Sequence, residues 1–78
     1  MSDSERVCAI VARYFGRDNV TPRTRLIEDL AAESLDYVTI ATALEKAFGY
    51  AIPDPDLYEV DTVEDLARLI QKGRTGKR

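Results

Sequence analysis

The sequence lacks histidine altogether and has a single cysteine, Cys8. One cysteine excludes an internal disulfide, so packed helices must supply the stability of this small chain. Without histidine there is neither the usual Cys/His zinc site nor a Ser-His or Cys-His nucleophilic pair. We therefore expect no metal site and no catalytic residue. A small enzyme is the weakest of the function classes.

Long apolar runs are also missing. No run approaches the roughly 18 residues that a membrane-spanning helix needs. The first six residues lack the basic and apolar parts of a signal peptide. We expect a soluble, cytoplasmic monomer without a membrane span, and its 78 residues are enough for one domain.

The net charge of −3 conceals a segregation of charge along the chain. Residues 28–65 contain eleven acidic side chains and one basic side chain, Lys46, whereas the flanks are strongly basic. An acidic middle would repel phosphates, which argues against nucleic acid as a ligand. It suits a partner with a basic docking patch. A solvated face that only keeps the domain soluble explains the same pattern equally well.

Two helices are marked by their ends as well as by their apolar spacing. Ser2 and Glu5 have the spacing of a capping box, and apolar residues then recur at helical intervals over residues 4–15 up to Gly16. A second helix is predicted over residues 34–48, before Gly49. Its apolar face is broader than a single neighbouring helix requires, so this helix should be central.

The connection over residues 17–33 is long for a small bundle. A short turn within it is expected to point Leu26, Ile27 and Leu30 inward. We interpret the connection as a cover over the core.

Prolines limit the segment after Gly49 to a single helical turn over residues 56–59. Thr62 then begins a last helix with an apolar stripe, and the apolar content ends at residue 71. The sequence thus predicts an all-α four-helix bundle over residues 1–71, with a long connection between helices 1 and 2 and a short third helix. Residues 72–78 are expected to form a disordered basic tail.

Ser34 lies where the connection ends and the second helix begins, between Glu33 and Leu35 and close to Asp36. A hydroxyl at a helix N-terminus, with carboxylates around it and no base nearby in sequence, is poorly suited to nucleophilic catalysis. It is well suited to modification by another enzyme. The alternative is that Ser34 only caps the helix.

Four blocks of sequence together resemble the acyl carrier protein family: Asp29-Leu30-Ala31-Ala32-Glu33-Ser34-Leu35-Asp36, Ala43-Leu44-Glu45-Lys46-Ala47-Phe48-Gly49, Ile52-Pro53-Asp54 and Thr62-Val63-Glu64-Asp65-Leu66. The resemblance implies that a phosphopantetheinyl transferase attaches a 4′-phosphopantetheine arm from coenzyme A to Ser34. The arm would carry acyl intermediates as thioesters. The protein would then be a non-catalytic carrier and a substrate of its partners.

The resemblance also implies two sets of surrounding residues. A face for acyl-loading and acyl-processing enzymes with basic patches would comprise Glu33, Leu35, Asp36, Val38, Thr42, Glu45, Asp54 and Asp56. A pocket for the acyl chain would be lined by Tyr37, Ile40, Leu44, Phe48 and Leu66.

The chain departs from the family pattern near the attachment site. Ala31 replaces the usual glycine, Glu33 replaces the usual aspartate, and Tyr37 is bulkier than the small hydroxyl residue that many members have there. These departures favour a specialised carrier in a fatty-acid, lipid or polyketide pathway. An aminoacyl or peptidyl carrier, or an unmodified acidic helical adaptor, remains an alternative.

Overall fold

The computed structural model describes residues 2–52 and 54–76. It consists of α1 (Asp3–Phe15), α2 (Ser34–Phe48), the single-turn α3 (Asp54–Leu57) and α4 (Val63–Gly76). The all-α class is confirmed, with three full helices and one short turn where the sequence predicts four helices with a short third. In the described part of the chain, no helix has the length and apolarity required to cross a membrane.

The ends of α1 and α2 form as the sequence predicts. The Ser2 hydroxyl accepts a hydrogen bond from the Glu5 N–H at 3.2 Å, and the Glu5 carboxylate accepts one from the Ser2 N–H at 2.9 Å. Gly16 and Gly49 end their helices in the left-handed conformation, with φ of 67° and 80°. This conformation strains residues that have a Cβ, so glycine is favoured there.

The core lies between the three long helices and the connection. α1 packs chiefly on α4 and also contacts α2. The largest fully buried side chains come from all four helices and from the connection, and they are Leu26, Ile40, Leu44, Leu57, Leu66, Ile70, Val7, Val11 and Val63. The acidic residues stay outside this core, which has no buried charged side chain among the described residues.

The connection covers the core through Leu26 and Leu30, which are both buried. Ile27 is 60% exposed, so the prediction that it points inward is wrong. Backbone hydrogen bonds from Asp29 to Arg25 and from Ala31 to Ile27 give this segment a helix-like turn. Leu26 and Leu30 share one face of the turn because they are four residues apart, and Ile27 lies on another face.

Backbone hydrogen bonds hold the connection against the start of α4. The Leu26 N–H donates to the Asp61 carbonyl at 2.8 Å, and the Val63 N–H donates to the Thr24 carbonyl at 2.9 Å. The Arg25 guanidinium also pairs with Asp61 at 3.1 Å. These bonds hold the long connection in one position against the start of α4, and the connection leads directly into α2.

Two boundaries differ from the prediction. The short turn occupies Asp54–Leu57, two residues earlier than predicted. α4 continues through Gly76, so residues 72–76 are helical where a disordered tail is expected, and residues 77–78 lie outside the described residues. Tertiary contacts support the added turn: Lys72 pairs with Asp56 at 3.3 Å, and Gly73 lies beside Tyr50 and Ala51.

Candidate functional site

The backbone turns sharply before α2 and leaves Ser34 exposed as the first residue of that helix. Ala31 has a φ of 56°, in the left-handed region that favours glycine. An alanine in this conformation costs roughly 1–2 kcal/mol because its Cβ approaches the following carbonyl. The turn buries Ala32 and brings the extended Glu33 to the N-cap position. The chain therefore keeps a glycine-like turn despite the alanine.

Asp36 holds the start of α2 with both carboxylate oxygens. Oδ2 accepts a hydrogen bond from the Glu33 N–H at 2.9 Å, and Oδ1 accepts one from the Tyr14 hydroxyl of α1 at 2.8 Å. The bond from the Glu33 backbone, followed by the bond from Tyr14, lowers the pKa of the Asp36 carboxyl. Asp36 therefore remains ionised at neutral pH, two residues from Ser34.

A cleft of about 510 Å³ opens beside Ser34. Its walls come from the connection, from the first turn of α2 and from the residue after α3, and they consist of Ile27, Ala32, Glu33, Ser34, Tyr37 and Tyr58. This volume lies within the range of clefts that hold small organic ligands. The mixture of apolar, aromatic and polar walls suits a ligand of mixed polarity.

Tyr37 closes the inner side of this cleft. Its side chain is only 4% exposed, and its hydroxyl donates to the Val60 carbonyl at 3.2 Å. Its ring stacks on Tyr58, with the ring centroids 6.0 Å apart and the planes 15° from parallel. Burial, and to a smaller extent the charge of Asp61, raises the pKa of Tyr37, so its hydroxyl stays a hydrogen-bond donor at neutral pH.

The other residues predicted to line an acyl pocket lie deeper or elsewhere. Ile40, Leu44 and Leu66 are fully buried in the core. Phe48 is half-buried at the far end of α2, where the Arg6 guanidinium lies 4.3 Å from its ring centroid. Of the five predicted residues, Tyr37 is the one that lines the cleft.

The predicted partner face has an exposed apolar part. Leu35 is 73% exposed and Val38 is 44% exposed, and Thr42 is exposed one turn beyond Val38. Glu33, the N-cap residue directly before Ser34, is also exposed. These four residues therefore lie on an accessible surface of α2.

The predicted acidic part of that face is largely engaged within the chain. The Glu45 carboxylate accepts a hydrogen bond from the Ile52 N–H at 2.8 Å, which holds the segment after α2. Asp56 pairs with Lys72, and the side chain of Asp54 lies outside the described residues. Asp36 has the two partners described above. The carboxylates therefore contribute negative potential while they also hold the fold.

Sequence reasoning missed three residues of the cleft. Ile27, Ala32 and Tyr58 line the cleft, although Ile27 was expected in the core and the other two were not predicted as site residues. The spacing of apolar residues contains no signal that distinguishes a rim position from a core position in such short turns. Among residues 2–52 and 54–76, no cluster of His, Cys, Asp and Glu side chains could hold a metal ion.

The described geometry fits a group attached through a serine hydroxyl. The exposed Ser34 lies at the edge of a cleft of suitable volume, and the turn before it is held by Asp36 and by the connection. Within the described residues, no side chain hydrogen-bonds to the Ser34 hydroxyl in a way that would activate it.

Comparison with known proteins agrees with this geometry. The family described as the phosphopantetheine attachment site matches residues 5–70. An acyl carrier protein from Syntrophobacter fumaroxidans is 37% identical over 71 residues, which cover 88% of each chain. A solved structure of a proposed acyl carrier protein from Mycobacterium tuberculosis superposes with a TM-score of 0.83 at 28% identity, and the match covers 91% of this chain and 97% of the other.

Proposed function

This chain belongs to the acyl carrier protein family, and from that membership we propose that Ser34 is the residue that receives the 4′-phosphopantetheine arm. Members of the family carry this group covalently, and they are carriers rather than catalysts. The observation that carries the proposal is the exposed Ser34 hydroxyl at the first residue of α2, beside a cleft and within the matched segment.

A phosphopantetheinyl transferase would move the phosphopantetheine group from coenzyme A to the Ser34 hydroxyl. Oγ of Ser34 attacks the phosphorus that bears the pantetheine, a phosphodiester bond forms, and 3′,5′-adenosine diphosphate leaves. The serine proton passes to a base of the transferase. When attached, the group supplies a terminal thiol that holds an acyl chain as a thioester.

The residues around Ser34 have complementary roles in this proposal. Asp36 holds the first turn of α2, so that the hydroxyl is presented from a rigid helix end. Leu35 and Val38 offer exposed apolar surface to the transferase and to acyl-processing enzymes. Glu33 and the neighbouring carboxylates attract basic patches on those partners and accelerate their encounter.

We further propose that the carrier works in a specialised fatty-acid, lipid or polyketide pathway. Support comes from the buried tyrosine at position 37 and from the strained Ala31 at the turn that partners would contact. A carrier altered at the turn before Ser34 and at the inner wall of the cleft requires partner enzymes and a cargo adapted to these changes.

The test is modification by a broad-specificity phosphopantetheinyl transferase with coenzyme A. Intact-mass measurement should detect one arm on the wild type and none on Ser34→Ala. Ser4→Ala, which changes a serine within α1, is the matched control and should be modified like the wild type. Circular dichroism should be the same for all three proteins. An unmodified wild type with several transferases, or an arm on another serine, would leave the acidic adaptor as the better reading.

A further inference from the structure

We propose that Tyr37 and Tyr58 close the interior of the bundle to the carried acyl group, so that the group stays in the cleft beside Ser34. Such a carrier favours short or planar acyl groups over long saturated chains. This inference rests on the proposed function of Ser34, and it names the class of acyl group that the arm would carry.

Tyr37 is held firmly between the cleft and the core. It lies three residues after Ser34, nearly one helical turn further along α2, and separates the cleft from the core. A chain that entered the core from the cleft would have to displace the Tyr37 ring. Displacement would break the hydrogen bond to the Val60 carbonyl and leave that hydroxyl without its partner. It would also separate the Tyr37 ring from Tyr58.

The side chains behind Tyr37 are closely packed. Ile40, Leu44 and Leu66 are fully buried, together with Leu57 of α3. Protein cores are close-packed, so room for a long chain arises only when side chains and helices move apart. α3 has a single turn and could move, but Leu57 anchors it in the core. Entry of a long chain therefore requires both separation of the stacked Tyr37 and Tyr58 rings and movement of the buried Leu57 side chain.

The cleft itself offers a surface on which an acyl group can lie. Tyr58 is 50% exposed, and the part of its ring that does not face Tyr37 is available to a ligand. Ile27 adds an exposed apolar side chain to the same cleft. An aromatic or otherwise planar group can stack on a tyrosine ring. A long saturated chain would leave most of its methylene groups in water, which is unfavourable.

The experiment compares proteins whose arm on Ser34 carries a hexadecanoyl or a cinnamoyl group, with loading verified by intact mass. Hydroxylamine cleaves thioesters that it can reach. We expect the hexadecanoyl thioester on the wild type to react within about twofold of free hexadecanoyl-pantetheine, because a reagent reaches an unburied group without prior opening. Tyr37→Ala, which removes the ring, should slow this cleavage by roughly fivefold or more, because a group enclosed by protein is shielded from solvent.

An NMR comparison on the wild type does not depend on the folding of any variant, and a second variant, Tyr58→Leu, then tests the ring of Tyr58. The cinnamoyl arm, compared with an acetyl arm, should shift the NMR signals of Tyr58 and Ile27 and leave those of Ile40 and Leu66 unchanged. Tyr58→Leu keeps an apolar side chain but removes the ring, and it should abolish any gain in melting temperature that cinnamoyl loading produces.

The outcomes separate this inference from the proposed function. Protection of the hexadecanoyl thioester by more than about tenfold on the wild type would overturn the inference, because such protection requires burial of the chain. Shifts at Ile40 and Leu66 on cinnamoyl loading would overturn it too. In both cases an arm on Ser34 would leave the proposed function intact. If intact mass detects no arm, the proposed function fails and the inference fails with it.

Discussion

The Tyr14 hydroxyl donates a 2.8 Å hydrogen bond to Oδ1 of Asp36, which joins the end of α1 to the first turn of α2. The other oxygen of Asp36 accepts the Glu33 N–H. A carboxylate expected from the sequence to meet basic partners therefore also holds the turn that presents Ser34. The charge of the Asp36 carboxylate and its hydrogen bonds to the turn can be tested by different variants.

Tyr14→Phe removes one of the two hydrogen bonds to Asp36 and leaves the carboxylate in position. We expect the pKa of Asp36 to rise toward its ordinary value, because one donor that stabilises the ionised form is lost. The unfolding midpoint in urea should fall slightly. An NMR titration of the Asp36 carboxyl measures the first effect. Tyr58→Phe, in a ring that stacks on Tyr37, is the control, and an equal rise of the Asp36 pKa in both variants would contradict the assignment.

The stability of the protein should depend on pH on the acid side. Hydrogen bonds from the backbone of Asp61 and then Thr62 lower the pKa of Asp65, just as Glu33 and Tyr14 lower that of Asp36. A carboxyl whose folded-state pKa lies below its unfolded value contributes stability above the unfolded pKa. That contribution is lost as the pH falls through the folded pKa. The melting temperature should therefore stay level from neutral pH to about pH 5 and decrease below about pH 4.

Asp65→Asn tests the cause of that decrease. The amide oxygen can still accept a hydrogen bond from the Thr62 N–H, but the side chain no longer titrates. The variant should lose less stability than the wild type as the pH falls from about 5 into the acid range, because the contribution of the Asp65 carboxylate is lost as the pH falls through its folded-state pKa. Parallel melting curves for the two proteins would mean that other carboxyls cause the acid loss.

Ala31→Gly should stabilise the protein. Relief of the left-handed conformation is worth roughly 1–2 kcal/mol. The greater freedom of glycine in the unfolded chain offsets about 0.5–1 kcal/mol of that gain. We expect a net increase of up to about 1.5 kcal/mol in the free energy of unfolding, measured in urea. Ala31→Val, with a branched side chain at the same positive φ of 56°, should be less stable than the wild type. A destabilised glycine variant would contradict the strain at this turn.

Two variants of Glu45 can distinguish a structural role of its carboxylate from a role in docking partner enzymes. Glu45→Ala removes the acceptor of the partly buried Ile52 N–H and should cost about 0.5–1.5 kcal/mol of stability. Glu45→Gln keeps an acceptor, so its stability should remain close to that of the wild type. If the carboxylate also attracts basic partners, Glu45→Gln should still slow transferase modification of Ser34 at low salt, with the difference disappearing at high salt. Equal rates for Gln and wild type at every salt concentration would limit Glu45 to its structural role.

The sequence by itself determined the elements whose signals are local. The capping box of Ser2 and Glu5 begins α1, and the left-handed glycines Gly16 and Gly49 end α1 and α2. Ser34 was located at the start of α2 for the same reason, since N-terminal and C-terminal signals act over three or four residues. The sequence blocks around Ser34 also identify the family without tertiary information, and the family match over residues 5–70 confirms it.

The tertiary structure decided which side chains meet across the chain. Tyr14 and Asp36 are 22 residues apart in sequence, and Tyr37 and Val60 are 23 apart, so no helical period brings either pair together. Ile27 is exposed because its neighbours Leu26 and Leu30 take the face of the turn that the core can accept. α4 extends through Gly76 because it packs beside Tyr50–Ala51 and Lys72 reaches Asp56, contacts that composition alone cannot reveal. The cleft beside Ser34 exists for the same physical reason, since its walls come from separate segments that only packing of the core brings together.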